Sequence, residues 1–170
     1  MDLAEMIRMH GGSIKRLCRS YEANSEKASD LNQEIWTAIW LSLPKFEARC
    51  TLRTWIYRVA HNTAITHVSK EKREKALISI EDMEEQIVDE RHSLSQALEH
   101  KDALQTIQAL LINMKLVDRQ VFWLYIEGHS QAEIAAVSGL TATHISTKIS
   151  RVKKVLETVL KNSESKGDQP

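Results

Sequence analysis

An all-helical chain is what this sequence predicts, and three observations predict it. Five glycines and two prolines occur in 170 residues, and between Gly12 and Gly128 Pro44 stands alone as a turn former of either kind. Strand-rich domains need frequent turn residues, which that stretch lacks. Apolar residues there recur at intervals of three and four rather than two, which is the period of a helix face. With 42% hydrophobic residues, the chain is neither disordered nor fibrous, and its length suits one ordinary domain or two small ones.

Composition also excludes function classes. Two cysteines, Cys18 and Cys50, rule out a disulfide scaffold and a four-cysteine zinc site. No apolar run approaches the roughly 20 residues that a membrane-spanning helix needs. Met1–His10 carries two acids and no unbroken apolar stretch, so it does not read as a signal peptide. The expectation is a soluble, reduced, cytoplasmic protein with no membrane insertion.

The elements follow in chain order. In the first helix, Cys18 sits among apolar residues as a packing position. Asp30-Leu31-Asn32-Gln33 reads as an Asp cap with Gln at the third helical position. From there Leu31, Ile35, Ile39 and Leu43 recur every four residues, Trp36 and Trp40 widen the stripe, and Pro44 stops the helix. Asp30, Gln33, Glu34 and Thr37 share the opposite face, an acidic, amide-bearing surface suited to a protein partner or simply to solvent. Thr51 caps a long helix, Leu52 to about Lys75, with Leu52, Ile56, Val59 and Thr63 as core positions. Its other side is expected to carry Arg53, Trp55, Tyr57, Arg58, His61 and Asn62. Aromatics interleaved with cations suit single-stranded nucleic acid, although Trp and Tyr on helices are commonly core.

Farther along, Leu104, Ile107, Leu110 and Leu111 make one stripe, and Val121, Phe122, Leu124 and Tyr125 another with Trp123 beside it. Ser130-Gln131-Ala132-Glu133 fits a capping box. Ile134, Ala135 and Val137 follow, then Gly139 for a left-handed turn. Thr141 caps a second helix with Ile145, Ile149, Val152 and Leu156 at intervals of four, three and four. A short capped helix, a glycine turn and a longer amphipathic helix, with the small Ala135 at the crossing, make a helix-turn-helix. His144, Thr147, Lys148 and Arg151 stand opposite the apolar stripe, as a recognition helix places hydrogen-bonding and cationic groups over base edges and phosphates. Lys153, Lys154 and Lys161 extend the charge toward the C-terminal end, where they also complement the helix dipole.

Formal net charge is zero, with 23 bases and 23 acids, but its distribution is uneven. Residues 45–75 carry eight bases against three acids, and residues 142–161 five bases against one acid. Between them residues 76–102 hold eight acids and two bases, the composition of an acidic linker. Two basic blocks, each on a helix with its own motif, point to a polyanion such as nucleic acid. The predicted layout is a helical domain over 1–75, an acidic linker over 76–102, a second helical domain over 103–162 and a polar, frayed tail over 163–170.

Two long motifs carry a resemblance. Asp30-Leu31-Asn32-Gln33-Glu34 through Leu43-Pro44-Lys45-Phe46, then Leu52-Arg53-Thr54-Trp55-Ile56-Tyr57-Arg58-Val59-Ala60-His61-Asn62-Thr63-Ala64, resembles region 2 of the extracytoplasmic-function sigma factors of bacterial RNA polymerase. Glu127-Gly128-His129-Ser130-Gln131-Ala132-Glu133-Ile134-Ala135 through Lys148-Ile149-Ser150-Arg151-Val152-Lys153-Lys154 resembles their region 4. The order is the family's, and the resemblance spans about residues 5–160. It implies a region 2 bundle and a region 4 helix-turn-helix, with core RNA polymerase and promoter DNA as partners and an anti-sigma factor as a further one.

By position, the resemblance implies that Asp30, Gln33, Glu34 and Thr37 dock on the polymerase. It implies that Glu47, Ala48, Arg49, Cys50 and Thr51 hold a base flipped from the minus-ten element, with Asn62 close to that element. Arg53, Trp55, Tyr57 and Arg58 would then support strand opening, and His144, Thr147, Lys148, Arg151 and Lys154 would meet the minus-thirty-five element. The chain departs from the family at Ser146, where many members have Arg, at Val152-Lys153, where an Ala-Arg pair is common, and at Met114-Lys115, where Leu-Pro is usual. Fewer arginines mean fewer bidentate guanine contacts.

Two other classes stand beside this one. An enzyme is disfavoured, because His61 and His67 do not share a helix face and no metalloprotease, Walker or nucleophile-elbow pattern occurs. No metal, cofactor or catalytic group is expected. Cys50 is a small residue of the base-holding loop, with a redox role open. A stand-alone helix-turn-helix regulator with an N-terminal sensor is the remaining alternative, and it would bind duplex DNA without polymerase.

Overall fold

Among the described residues, most α-helices start at a capping side-chain oxygen. A computed structural model describes residues 2–78 and 111–166, and every regular element in them is helical. The chain divides into two compact units, Met1–Glu85 and Gln86–Pro170.

In the first unit, α1 spans Leu3–Tyr21, capped by Asp2, whose side chain accepts from the Glu5 amide at 2.8 Å. Helix α2 spans Ser25–Ser42. Its cap is Asn24, whose side-chain oxygen accepts from the amides of Glu26 and Lys27 at 2.9 and 3.1 Å. The expected Asp30 cap is therefore corrected. Both residues are cap formers, but the chain turns at Asn24, and Asp30 is an exposed position inside the helix. Pro44 ends α2 as expected, by opening a short 3-10 turn over Leu43–Lys45. Thr51 caps α3 (Leu52–Ile78), its hydroxyl accepting from the Thr54 amide at 3.1 Å.

Helix α3 packs against both α1 and α2. Met6, Ile14 and Leu17, Leu31, Ile35 and Ile39, and Ile56, Ala60 and Ala64 have no exposed surface. The buried face of α3 is rotated from the expected one. Leu52, Val59 and Thr63 are half-buried, while Trp55, Tyr57 and His61 turn inward. The rotation follows from chemistry. Ala60 and Ala64 allow close backbone approach, and each inward aromatic ring contributes about 2–3 kcal/mol of burial. The Tyr21 hydroxyl and His61 Nδ1 lie 3.0 Å apart inside the core, so these polar atoms are paired where desolvation is costly. Trp36 is half-buried and Trp40 is 57% exposed, so the second ring does not widen the core. Cys18 is a packing residue, as expected, and burial pushes its thiol up to about 12. Gly11 and Gly12 lie inside α1, where each is about 1 kcal/mol less favourable than Ala.

The second unit follows the expected plan. Helix α4 spans Leu116–Ile126, α5 Gln131–Ser138 and α6 Ala142–Lys166. Helix α4 ends at Gly128, in the left-handed region at φ +77°, with the Gly128 and His129 amides donating to the carbonyls of Tyr125 and Leu124. The Ser130–Glu133 capping box is complete, and Gly139 takes the left-handed conformation at φ +71°. Thr141 caps α6 by accepting from the His144 amide at 3.4 Å. Leu111, Val121, Phe122, Trp123, Leu124, Ile134, Val137, Ile145, Ile149 and Val152 form the core, with Leu156 half-buried at its edge. Arg119 is buried, and its guanidinium donates to the carbonyls of Ile112 and Met114, closing the chain just before α4.

Three expectations meet the limits of the described residues or shift. Leu104, Ile107, Leu110 and nearly all of the acidic stretch lie outside them. Helix α3 continues to Ile78, three residues past its expected end, and α6 continues to Lys166 rather than giving way at Ser163. Among the described residues no helix is long and apolar enough to cross a membrane.

The cap assignment is testable by urea unfolding. Asn24→Ala should cost about 1 kcal/mol, whereas Asp30→Ala should fall within about 0.5 kcal/mol of the parent. Equal losses at the two positions would contradict it.

Candidate functional site

The side chains singled out by the sequence fall on three surfaces. On α2, Asp30, Gln33, Glu34 and Thr37 are all exposed and line one shallow depression with Ala38 and Leu41. Glu34 also reaches α3, where its Oε2 lies 3.0 Å from Nδ1 of the largely buried His67. One carboxylate thus belongs both to the outer face and to the seam between two helices.

That seam opens into a groove that the sequence did not disclose. It is lined by Glu34, Asn62, Thr63, Thr66, His67, Lys70, Glu71 and Glu74. Lys27 pairs with Glu71, and the hydrogen bond its ammonium donates to that carboxylate holds Lys27 above its ordinary value. Residues four apart on α3 and seven apart on α2 (Lys27 and Glu34) carry this pattern, but sequence spacing on one helix cannot show which residues of another helix they meet. Asn62 is exposed, as expected, and shares the groove with Glu34.

The loop before α3 forms the second surface. Glu47, Ala48, Arg49 and Thr51 are exposed and Cys50 is half-buried. Ala48 adopts φ +55°, a left-handed conformation that costs an L-residue roughly 1–2 kcal/mol. Glu47 and Arg49 flank it and pair at 2.6 Å, with 63% and 84% of their side chains exposed. So open an ion pair contributes at most about 1 kcal/mol and leaves the loop free to repair itself around another group. The base of the loop is fixed by Phe46 against Trp55, ring centroids 5.2 Å apart.

The long helix corrects one reading. Trp55 is 7% exposed and Tyr57 1%, so their rings face the core and offer no stacking platform. Tyr57 meets His10 edge-on, with ring centroids 6.4 Å apart, and the Arg53 guanidinium lies over its ring at 5.9 Å. Burial, with Arg53 nearby, holds the His10 imidazole below its ordinary value. Arg53 and Arg58 are half-buried.

On α6, His144, Thr147, Arg151 and Lys154 are exposed. The Thr147 hydroxyl donates to the Thr143 carbonyl at 3.0 Å, which leaves its oxygen able to accept. Lys148 is not on the open face. It pairs with Asp118 of α4, and both side chains are about one-fifth exposed (23% and 21%). The cation expected to meet DNA instead pins the recognition helix to α4. Lys153 lies over the Tyr125 ring at 5.8 Å. Arg119, Asp118 and Tyr125 are the supports that helical spacing alone did not reveal.

No group of three or more metal-ligating side chains occurs among the described residues. The three surfaces are built for contact: acidic and amide groups on α2, a strained polar loop, and a cationic, hydrogen-bonding face on the second helix of a helix-turn-helix.

Comparison with known proteins agrees. Residues 6–74 match the family model for Sigma-70 region 2, and residues 104–156 that for Sigma-70, region 4. The chain is 25% identical over 166 residues to the ECF RNA polymerase sigma factor SigW of Bacillus subtilis strain 168, covering 94% of this chain and 89% of that protein. It is 20% identical over 162 residues to the RNA polymerase sigma factor NccH of Alcaligenes xylosoxydans xylosoxydans, covering 94% and 87%. Among solved structures it is similar to the sigma factor RpoE in complex with the anti-sigma factor NepR from Bartonella quintana. The TM-score is 0.64 at 18% identity, over 94% of this chain and 97% of that one. Regions 2 and 4, in that order and on an all-helical fold, place the chain in the ECF sigma factor family, whose members are regulatory proteins and not enzymes.

Proposed function

We propose that this chain acts in the cytoplasm as a sigma factor that binds core RNA polymerase and directs promoter-specific initiation. Residues 1–75 bind the core and open DNA at the minus-ten element. Residues 103–162 read the minus-thirty-five element, residues 76–102 are the acidic linker between them, and residues 163–170 are the polar tail. The observation that carries this reading is the pairing, in one chain, of an acidic docking face on α2 with a capped helix-turn-helix whose second helix exposes His144, Thr147 and Arg151.

The roles divide by accessibility. Asp30, Gln33 and Thr37, with the outer oxygen of Glu34, meet the polymerase. The loop Glu47–Thr51, strained at Ala48, holds one unstacked base, because a pocket for a flipped base selects by shape and hydrogen bonds. Asn62 sits close to the minus-ten element, while Arg53 and Arg58 supply charge to the opened strand. Trp55 and Tyr57 support that surface from beneath. On α6, His144, Thr147 and Arg151 face base edges, Lys154 faces phosphate, and Lys148 holds the helix in place through Asp118. By likeness to RpoE with NepR, an anti-sigma factor is a further partner that silences the chain.

The direct test is run-off transcription with core polymerase on a library of genomic promoters. The chain should confer initiation at a discrete subset. Tight, specific duplex binding without polymerase, together with no transcripts in its presence, would favour the stand-alone regulator instead.

The docking face is tested without disturbing the Glu34–His67 contact. Asp30→Ala with Gln33→Ala should weaken retention of core polymerase at least about tenfold, a loss of about 1.4 kcal/mol, at unchanged helicity. Unchanged retention would remove the face from the interface.

Base reading and charge separate on α6. Arg151→Ala should change preference at one promoter position by about 1–3 kcal/mol. Lys154→Ala should weaken all promoters alike and reduce the salt slope by about 1. Parallel losses for both variants across a promoter library would make the helix an electrostatic anchor only.

A further inference from the structure

Helix α1 has no part in the surfaces described so far, yet its outer face is cationic. Arg8, Gly12, Lys15 and Arg19 recur at intervals of four, three and four, so they lie along one stripe, and all four are exposed. Arg16 is exposed beside them, its guanidinium donating to the Ser13 hydroxyl at 2.9 Å. The acids of this segment, Asp2 and Glu5, stand at its N-terminal end, where Asp2 is occupied as the cap.

The glycine in that stripe is the second observation. Glycine inside a helix is unfavourable, and it persists where the interior has no room or where something outside approaches the backbone. The interior does not require it here. A Cβ on Gly12 would meet Arg16 Nη1 at 3.6 Å, and one on Gly11 would meet Ile7 Cγ2 at 3.7 Å, both ordinary contact distances. The absent side chain therefore serves the outer surface. It leaves a patch of helix between Arg8 and Lys15 that carries no side chain of its own and is bordered by the Arg16 guanidinium, a further phosphate donor.

We propose that this face of α1 binds the phosphodiester backbone of a DNA strand, with the strand crossing α1 at Gly12 and phosphates held by Arg8, Lys15 and Arg19. The stripe spans about 16 Å along the helix axis. At about 3.4 Å of axial rise per nucleotide, that matches about five phosphates of one strand. Arginines at two of the three positions present the planar fork that phosphate accepts. A regular series of cations around a position without a side chain suits a regular polyanion better than a protein surface, whose acids follow no such repeat.

The test uses the full chain without polymerase, so its outcome is independent of the function proposed above. Binding to random-sequence oligonucleotides, single-stranded in one arm and duplex in the other, is followed by fluorescence anisotropy across a salt series. Arg8→Ala/Lys15→Ala/Arg19→Ala should reduce the slope of log K against log salt by about 2 to 3 in at least one arm, and the arm affected shows which form of DNA is held. Gly12→Ala should raise the melting temperature and yet weaken binding severalfold, a combination that a purely structural glycine would not give. Unchanged slopes for the triple variant in both arms would overturn the proposal, as would full binding by Gly12→Ala. Loss of core polymerase by the triple variant with oligonucleotide binding intact would also overturn it, making the face a protein contact.

Discussion

The inward face of α3 is the constraint on which the first unit depends. Ile56, Tyr57, Ala60, His61 and Ala64 are buried against the other two helices, and this fixes which side chains of α3 remain for anything else. Polar links run along the same helix. His61 meets Tyr21 of α1, His67 meets Glu34 of α2, and Glu71 meets Lys27 of α2. Apolar packing sets how closely the helices approach, and the polar links set their rotation, because each fails if α3 turns by one residue. Asn62, exposed, and Arg53 and Arg58, half-buried, are what that rotation leaves toward the outside.

How much of this was legible in the sequence depended on how local the cause was. The helix-turn-helix was readable because its signals lie within a few residues: Ser130 with Glu133, Gly139 in its turn, Thr141 at the next cap. The stop at Pro44 and the Thr51 cap were readable for the same reason. The start of α2 was not, since Asn24 and Asp30 are both good cap formers and only the path of the preceding chain chooses between them. The face of α3 was misread because Tyr57, Trp55 and His61 are amphipathic, and Ala60 and Ala64 carry little hydrophobic signal despite lining the closest packing.

The candidate surfaces show the same division. Exposure of Asp30, Gln33, Thr37, His144 and Arg151 followed from helical period alone. Lys148 did not, because its place was decided by Asp118, thirty residues earlier and on another helix. A charge on a predicted open face is open only if no neighbouring helix offers a counter-charge, and a single helical wheel does not contain that information. Arg119 is the converse case: a charged residue between Asp118 and Gln120, buried because two backbone carbonyls of the preceding segment receive it.

The loop before α3 combines a rigid frame with a permissive centre. Phe46 is held against Trp55 on one side, and Thr51 is committed to the α3 cap on the other. Between them Glu47, Ala48 and Arg49 are exposed, with no part in the hydrophobic core. Substitutions there leave the packing of the bundle untouched. This segment is therefore where the sequence can vary at no cost to the scaffold. On the role proposed for this loop, a new target preference would need only three codons to change.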